Sequence, residues 1–391
     1  MKTALLHYWL TNRRGGENVF REICEMFPTG DIFTHAYNAH VMDGWFGGRR
    51  VTESFIGRLP LARTKCQAYL PLMPLASRAL KLDGYDLIIS SESGPIKGIR
   101  KPKGARHVCY CHTPMRYLWD MYEDYYRMAG VGGRMAMRTF RDYLRREDLK
   151  SADSVDVFVA NSHFVAERIR RIYGRSAEVV HPMVDFDFFS HPTSSARGDG
   201  YLLAGQLVSY KRPDIAVLAC LKMNRKLKVV GTGEQIGRLK TLANGSPNIE
   251  FPGRVSNEEL RRAYAEAHAL LFPGVEDFGI VPLEAQAAGT PVIAYGVGGV
   301  RETVVSEKTG LFFPRQSVDA LCEAIEEFEA RDWCSEDCRA NAANFSHPVF
   351  RRAFGAIIGK EIGRYSNTCP TSSISTRPIR FLTGSARSCR S

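Results

Sequence analysis

Short, continuous apolar runs alternate with helix-like stretches along most of this chain, and that alternation constrains the fold more than any other feature. Thr3–Tyr8, Tyr85–Ser90, His107–Cys111, Val155–Ala160, Ala177–Val180, Tyr201–Ala204, Leu227–Val230, Ala269–Phe272 and Pro291–Ala294 are four to six residues long, several of them rich in Val, Ile and Leu. Continuous rather than alternating hydrophobicity is the mark of strands buried on both faces of a parallel sheet. Helical stretches between such strands imply βαβ units, and so a doubly wound α/β design. The chain has 391 residues, more than one ordinary core accommodates, which suits two domains of roughly 150–200 residues each. The pattern breaks once. His181-Pro182-Met183-Val184-Asp185 follows a strand, and Asp185–Gly200 is polar, with Pro192, Ser194, Ser195 and Gly198. This reads as a linker or a long exposed loop. A second α/β run begins at Tyr201. The expected organisation is a first domain over residues 1–185, a second over 186–365, and a disordered Ser/Thr/Pro/Arg-rich tail over 366–391.

Hydrophobic residues make up 44% and charged residues 24%, the balance of a soluble globular chain. No stretch approaches the ~18 continuous apolar residues of a membrane span. The apolar start, Met1–Leu10, contains His7 and runs into Thr11-Asn12-Arg13-Arg14 without a small-residue cleavage site, so it reads as a buried first strand rather than a signal peptide. Ten cysteines are too dilute for a disulfide scaffold. The pairs Cys109/Cys111 and Cys334/Cys338 lack zinc spacing and partner histidines, so no metal site is expected; thiols in a reducing cytoplasm fit better. A net charge of +11 attracts phosphorylated ligands and anionic lipid surfaces. Nucleic acid is not an expected partner, because no motif for it is present. Arg134, Arg138, Arg141, Arg145 and Arg146 in Gly130–Lys150 form a broad basic helical face, with Met135, Met137, Phe140 and Leu144 partly opposite. That pattern suits either a membrane-surface contact or a solvated cationic helix packing by its apolar side.

The segment richest in chemistry is Phe272-Pro273-Gly274-Val275-Glu276-Asp277-Phe278-Gly279-Ile280-Val281-Pro282-Leu283-Glu284. A strand ends at Phe272, a Gly-containing loop follows, and a helix is expected from about Pro282 to Ala288, with Pro282 at its first position and Gly289 at its end. The loop delivers backbone amides at a helix N-terminus beyond the carboxyl end of a strand, where α/β sheets bind anions and nucleotides. Glu276 and Glu284 can face one ligand there as acceptors for sugar and ribose hydroxyls. Alternatively, Glu284, placed in the helix's first turn, only complements the helix dipole.

Other turns add to this site. Gly205-Gln206-Leu207-Val208-Ser209-Tyr210-Lys211-Arg212-Pro213 links a strand to a helix, and Lys211 and Arg212 are placed to neutralise a diphosphate. Gly231-Thr232-Gly233-Glu234 resembles a dinucleotide turn, but the next glycine is Gly237, which misses the G-x-G-x-x-G spacing. Gly15-Gly16-Glu17 lets backbone approach a ligand closely, or makes an ordinary tight turn. His112 sits at the carboxyl end of a strand, facing the expected cleft. Gly296-Val297-Gly298-Gly299 gives a further glycine-rich turn into a helix.

Taken in order, these motifs resemble glycosyltransferase family 4, retaining enzymes with two Rossmann-like doubly wound domains facing a central cleft (the GT-B fold). The resemblance covers about residues 1–360. Cys111-His112-Thr113-Pro114-Met115-Arg116-Tyr117-Leu118-Trp119-Asp120 is similar to a subgroup of bacterial mannosyltransferases that build O-antigen and exopolysaccharide. The resemblance implies that Glu276 contacts the transferred sugar beside Phe278, Gly279, Ile280 and Val281, and that Glu284 binds the ribose. It implies that Lys211 holds the diphosphate, with Gln206, Arg212, Gly231 and Gly233 on the donor side. His112 is implied near the reacting sugar, Gly16 near the phosphates and Arg254 near the base. The family often has arginine where Gln206 stands; either Arg212 compensates or the subgroup does not need that charge. The implied donor is GDP-mannose, with no metal and no cofactor. The implied acceptor is a polyprenyl-diphosphate-linked glycan, met at the anionic inner face of a bacterial inner membrane. A UDP-hexose donor, a non-hydrolysing nucleotide-sugar epimerase and a non-catalytic nucleotide-sugar-binding protein are the alternatives. A dinucleotide-dependent oxidoreductase is disfavoured by the Gly237 spacing.

Overall fold

The computed structural model describes residues 1–191 and 197–368. Thirteen described strands form two sheets, parallel throughout. Strands β1 (Thr3–His7), β2 (Asp31–Thr34), β3 (Val51–Glu53), β4 (Leu87–Glu92), β5 (Arg106–Cys111), β6 (Val157–Ala160) and β7 (Ala177–Val179) make the first, in the order β3-β2-β1-β4-β5-β6-β7. Strands β8 (Tyr201–Ala204), β9 (Leu227–Val230), β10 (Ile249–Gly253), β11 (Leu270–Phe272), β12 (Val292–Tyr295) and β13 (Gly310–Phe313) make the second, in the order β10-β9-β8-β11-β12-β13. Each sheet reverses its winding direction once, between β1 and β4 and between β8 and β11. A doubly wound sheet opens a ligand crevice at such a point, outside the carboxyl ends of the strands. The expected α/β fold of two doubly wound halves is therefore present.

The central strands are apolar because helices cover both their faces. Ala4, Leu5, Leu6, Ile88 and Ile89 are fully buried in the first sheet, and Leu270, Leu271, Val292 and Ile293 in the second. The basic helix is present as Val131–Ser151. Arg141 and Arg145 do not join its solvent face. They lie over the rings of Tyr122 and Trp119, with cation-to-centroid distances of 4.1 and 4.8 Å. Inside this helix, Asp148 meets the fully buried Lys97 at 2.7 Å, and Lys97 meets Glu92 of β4 at 3.1 Å. Asp148 also accepts a hydrogen bond from Trp119 Nε1 at 2.8 Å.

Two expectations about the later chain are corrected. The polar stretch from Asp185 is not all loop. Asp185 caps a short helix, Phe186–Ser190, by accepting from the Phe188 amide. The segment before residue 365, expected to stay with the second domain, returns to the first. Phe350, Phe354, Ile357 and Ile358 of the helix His347–Thr368 pack with Val19, Phe20, Val108 and Tyr110. Glu22 ties its start to the first domain by accepting from Arg351 and meeting His347 at 2.6 Å. Apolar periodicity gives a helix an apolar face but does not say which core receives it. Among the described residues the chain thus crosses between the halves twice. The two crossings touch where the Val184 amide donates to the Phe345 carbonyl at 2.8 Å. The helix continues to Thr368, and the remainder of the expected tail lies outside the described residues.

Candidate active site

The two crevices face each other across one cavity of about 1250 Å³. The β8–helix loop and the β11–helix loop lie far apart in the chain, yet β8 and β11 are neighbours at the switch point of the second sheet. That adjacency brings Lys211 to Glu276, Nζ to carboxylate, at 2.7 Å. Burial alone would raise the Glu276 carboxyl, but Lys211 and Arg116 outweigh it and hold the group below its ordinary value. Burial likewise disfavours the charge on Lys211, and Glu276 more than restores it. The site therefore carries a cation–carboxylate pair.

The following helix spans Ile280–Ala287, two residues earlier than expected, and starts after Gly279, whose φ of +104° suits glycine. Glu284 consequently lies beyond the first turn, so the dipole-complementing reading does not apply to it. Its carboxylate accepts a hydrogen bond from the Tyr264 hydroxyl at 2.8 Å. Burial, reinforced by Glu276, raises its carboxyl above the ordinary value. Glu284 lines the cavity together with Phe278, Gly279, Ile280 and Val281.

From the first domain, Gly16 and His112 reach the same cavity. A Cβ on Gly16 would sit 3.4 Å from His112 Nε2, so glycine lets the helix Gly15–Met26 begin against that ring. His112 Nε2 lies 2.9 Å from Ser91 Oγ, and burial pushes the ring down to about 4, leaving imidazole neutral near pH 7. A neutral ring offers a hydrogen bond without a charge.

Four expected donor residues do not reach the cavity wall. Arg212 pairs with Asp214 at 3.0 Å and lines a smaller neighbouring cavity. It therefore does not supply the cation that Gln206, which does line the main cavity, lacks. Gly231 and Gly233 are glycines for packing: a Cβ there would come within 1.9 Å of the Gly205 carbonyl and 2.2 Å of the Leu207 carbonyl. Arg254 is exposed just past β10. Arg14, Glu17 and Arg116 line the main cavity in addition.

Residues 14–188 match the sequence family described as Glycosyltransferase Family 4, and residues 195–345 match Glycosyl transferases group 1. The chain belongs to the family 4 glycosyltransferases.

Curated relatives of this glycosyltransferase include the GDP-mannose-dependent alpha-(1-6)-phosphatidylinositol monomannoside mannosyltransferase of Mycobacterium tuberculosis. It is 34% identical over 216 residues, which cover 48% of this chain and 55% of that protein. The D-inositol 3-phosphate glycosyltransferase of Mycobacteroides abscessus is 28% identical over 237 residues, 54% of each. The chain thus aligns with about half the length of these relatives. Among solved structures, Anabaena HepE in complex with UDP superposes with a TM-score of 0.69 at 14% identity, covering 92% of this chain and all of that one. The sucrose-phosphate synthase of Thermosynechococcus elongatus gives 0.68 at 20% identity, covering 93% and 100%. At such identities the likeness concerns the fold, which is GT-B.

Arg116 is the cavity-lining residue least visible in the sequence. It lies four residues after His112 in an irregular segment, and only the apposition of the two domains shows it beside Lys211 and Glu276. Asp277 is its partner: Arg116 Nε donates to the Asp277 carboxylate at 2.8 Å.

Proposed function

We propose that this family 4 glycosyltransferase moves a hexose, mannose from GDP-mannose, with retention of configuration, to a lipid-linked glycan in bacterial surface or exopolysaccharide synthesis. The observation that carries the reading is the cavity itself. It places the Lys211–Glu276 pair, Glu284 and the neutral His112 around one space between two crevices. In this reading Glu284 accepts from the ribose and Glu276 from the transferred sugar. Lys211, Arg116 and the amides at the start of helix Ile280–Ala287 stabilise charge on the departing diphosphate. These groups are the chain's own, and the proposal assigns no step to a metal or cofactor. The mycobacterial relative named for GDP-mannose and a phosphatidylinositol mannoside supports the donor and the lipid character of the acceptor.

Thermal shift with GDP-mannose, UDP-glucose, UDP-N-acetylglucosamine and UDP-galactose tests the donor. GDP-mannose at a hundred times its Kd is expected to stabilise the protein by about 2.7 kcal/mol. Stabilisation by a UDP-sugar alone would move the assignment to that donor, and by none would remove the transferase reading. Glu284→Gln is expected to weaken GDP-mannose binding roughly ten- to hundredfold, since it removes a charged acceptor.

The first-domain wall supports a lipid acceptor. Leu70, Pro71, Met137, Phe140 and Leu144 line the cavity on that side. On the helix Val131–Ser151, Arg134 and Arg138 are exposed near Val131 and Met135, which are 76% and 68% exposed, and Arg146 and Lys150 are exposed further along. We place this face on the anionic inner surface of the bacterial inner membrane. Among the described residues no helix is long and apolar enough to cross a membrane, so binding rests on charge and partial insertion. Arg134→Gln with Arg138→Gln is expected to lower partition onto phosphatidylglycerol-containing vesicles about thirtyfold, at about 1 kcal/mol per charge. Unchanged sedimentation with such vesicles would refute the placement.

A further inference from the structure

Asp277 follows Glu276 directly, yet its side chain belongs to the other domain's network. One carboxylate oxygen accepts from Arg116 Nε at 2.8 Å and from Arg116 Nη2; the other accepts from Arg168 Nη1. Its backbone carbonyl accepts from Ser162 Oγ at 2.5 Å. Arg116 lies on the segment that carries His112. Ser162 caps the helix His163–Tyr173, and Arg168 is within that helix. Arg168 Nη1 also donates to Thr113 Oγ1, the neighbour of His112, at 3.1 Å. The contact is largely buried beside the smaller cavity: the Asp277 and Arg168 side chains are 9% and 10% exposed. Behind the loop, the second domain holds Glu276 by its backbone, whose carbonyl accepts from the Gly299 amide at 2.9 Å. A second carboxylate repeats the cross-domain grip. Glu302 accepts from the His163 and Phe164 amides at 2.9 and 3.1 Å.

We infer that Asp277, gripped by Arg116 and Arg168, is a closure latch: a positioning residue that sets Glu276 only when the first domain is seated against the second. A buried charge cluster of this kind adds little net stability when well formed, because desolvation offsets attraction, but it is costly when one partner is missing or misplaced. Parting the domains returns Arg116 and Asp277 to water and leaves Arg168 paired with Asp120 of its own domain, so opening is inexpensive. A misaligned closure leaves a guanidinium or carboxylate buried and unpaired. The latch therefore selects one closed geometry, and it does so next to the carboxylate that faces the sugar. The turnover part of this inference rests on the transferase reading above; the closure part does not.

The test has a ligand-free arm and a turnover arm. Without any ligand, Asp277→Ala and Arg168→Gln are expected to shift small-angle scattering to a larger radius of gyration than wild type, with melting of the individual domains retained. In turnover with GDP-mannose, Asp277→Asn is expected to lose about 10²-fold in kcat, the scale of a misplaced catalytic group. Calorimetric affinity for GDP, held by the second domain, is expected to stay near wild type. An unchanged radius in both ligand-free variants would overturn the latch. So would wild-type kcat in Asp277→Asn, or a parallel fall of kcat, GDP affinity and melting temperature, which marks general damage. Failure of wild type to bind GDP or GDP-mannose would instead strike the donor assignment, with the scattering arm still deciding the latch.

Discussion

Replacing Lys211 by alanine is expected to lower kcat by about 10²–10³-fold at saturating donor, the usual loss when a group stabilising developing charge is removed. Two effects combine. In the proposed reaction the departing diphosphate loses a cation, and Glu276 loses the partner 2.7 Å away that holds its carboxyl below the ordinary value. With Arg116 as the remaining neighbouring cation, the Glu276 carboxyl then rises toward the value burial would give it, since Lys211 is the larger of the two opposing influences. Steady-state kinetics of Lys211→Ala, Glu276→Gln and the double variant check both parts. The pair acts as a unit, so the double variant is expected to lose far less than the product of the single losses. Simple multiplication of the losses would show that the two residues act independently. A Lys211→Ala enzyme with wild-type kcat would remove Lys211 from the chemistry altogether.

Lys97→Met is expected to be the most destabilising of these substitutions, by about 3–5 kcal/mol, because it leaves two buried carboxylates without their shared cation. Lys97 sits at 2.7 Å from Asp148 and 3.1 Å from Glu92, with all three side chains at most 1% exposed. Methionine keeps the length of the side chain, so the loss reports charge rather than volume. Lys101→Met is the control. Its partner Asp156 also contacts Arg106 at 3.4 Å and accepts from the His107 amide at 2.7 Å, and Lys101 itself is 26% exposed. Its cost is expected to stay near the ~1 kcal/mol of a partly solvated pair. Denaturant midpoints of the two variants decide the point, and equal midpoints would show that the buried trio contributes no more than a surface pair. Because Asp148 also holds Trp119, the Lys97 variant is expected to alter tryptophan fluorescence before unfolding.

The parts of the fold that could be read from residues were those whose physics is local. The central strands are buried on both faces, so they stand out as unbroken apolar runs. Two edge strands do not: β3 is a half-buried Val51-Thr52-Glu53, and β10 contains Pro252 and Gly253. Neither has the continuous hydrophobicity that marks a covered strand. The donor loop was legible because a strand end, glycines and two spaced carboxylates lie within one segment. Its helix start was misplaced because Pro282 fits a first helical position, whereas Gly279 at positive φ lets the turn begin sooner. Gly231 and Gly233 looked like ligand glycines, yet the backbone they admit is the protein's own. Arg116 and Asp277 were hidden for another reason. Their meaning lies in a contact across 161 residues, and spacing within one motif carries no trace of it.

The paired crossings at Val184 and Phe345 have a mechanical consequence. A body on a single tether can swing or twist about any direction. Here two tethers lie side by side and are fastened by a hydrogen bond, so they form a spine. Relative motion about a spine resembles a book opening, with its pages separating most at the far edge and hardly sliding past one another. The ring of His181 stacks on Phe278 at 5.4 Å and packs against Phe345 at the same distance, close to that spine. The loop over residues 275–279 therefore lies nearer the axis, and the outer rims of the cleft sweep the widest arc. The outer rims therefore set how large a ligand can enter, while the grip on Asp277, nearer the axis, is made or broken by a small turn.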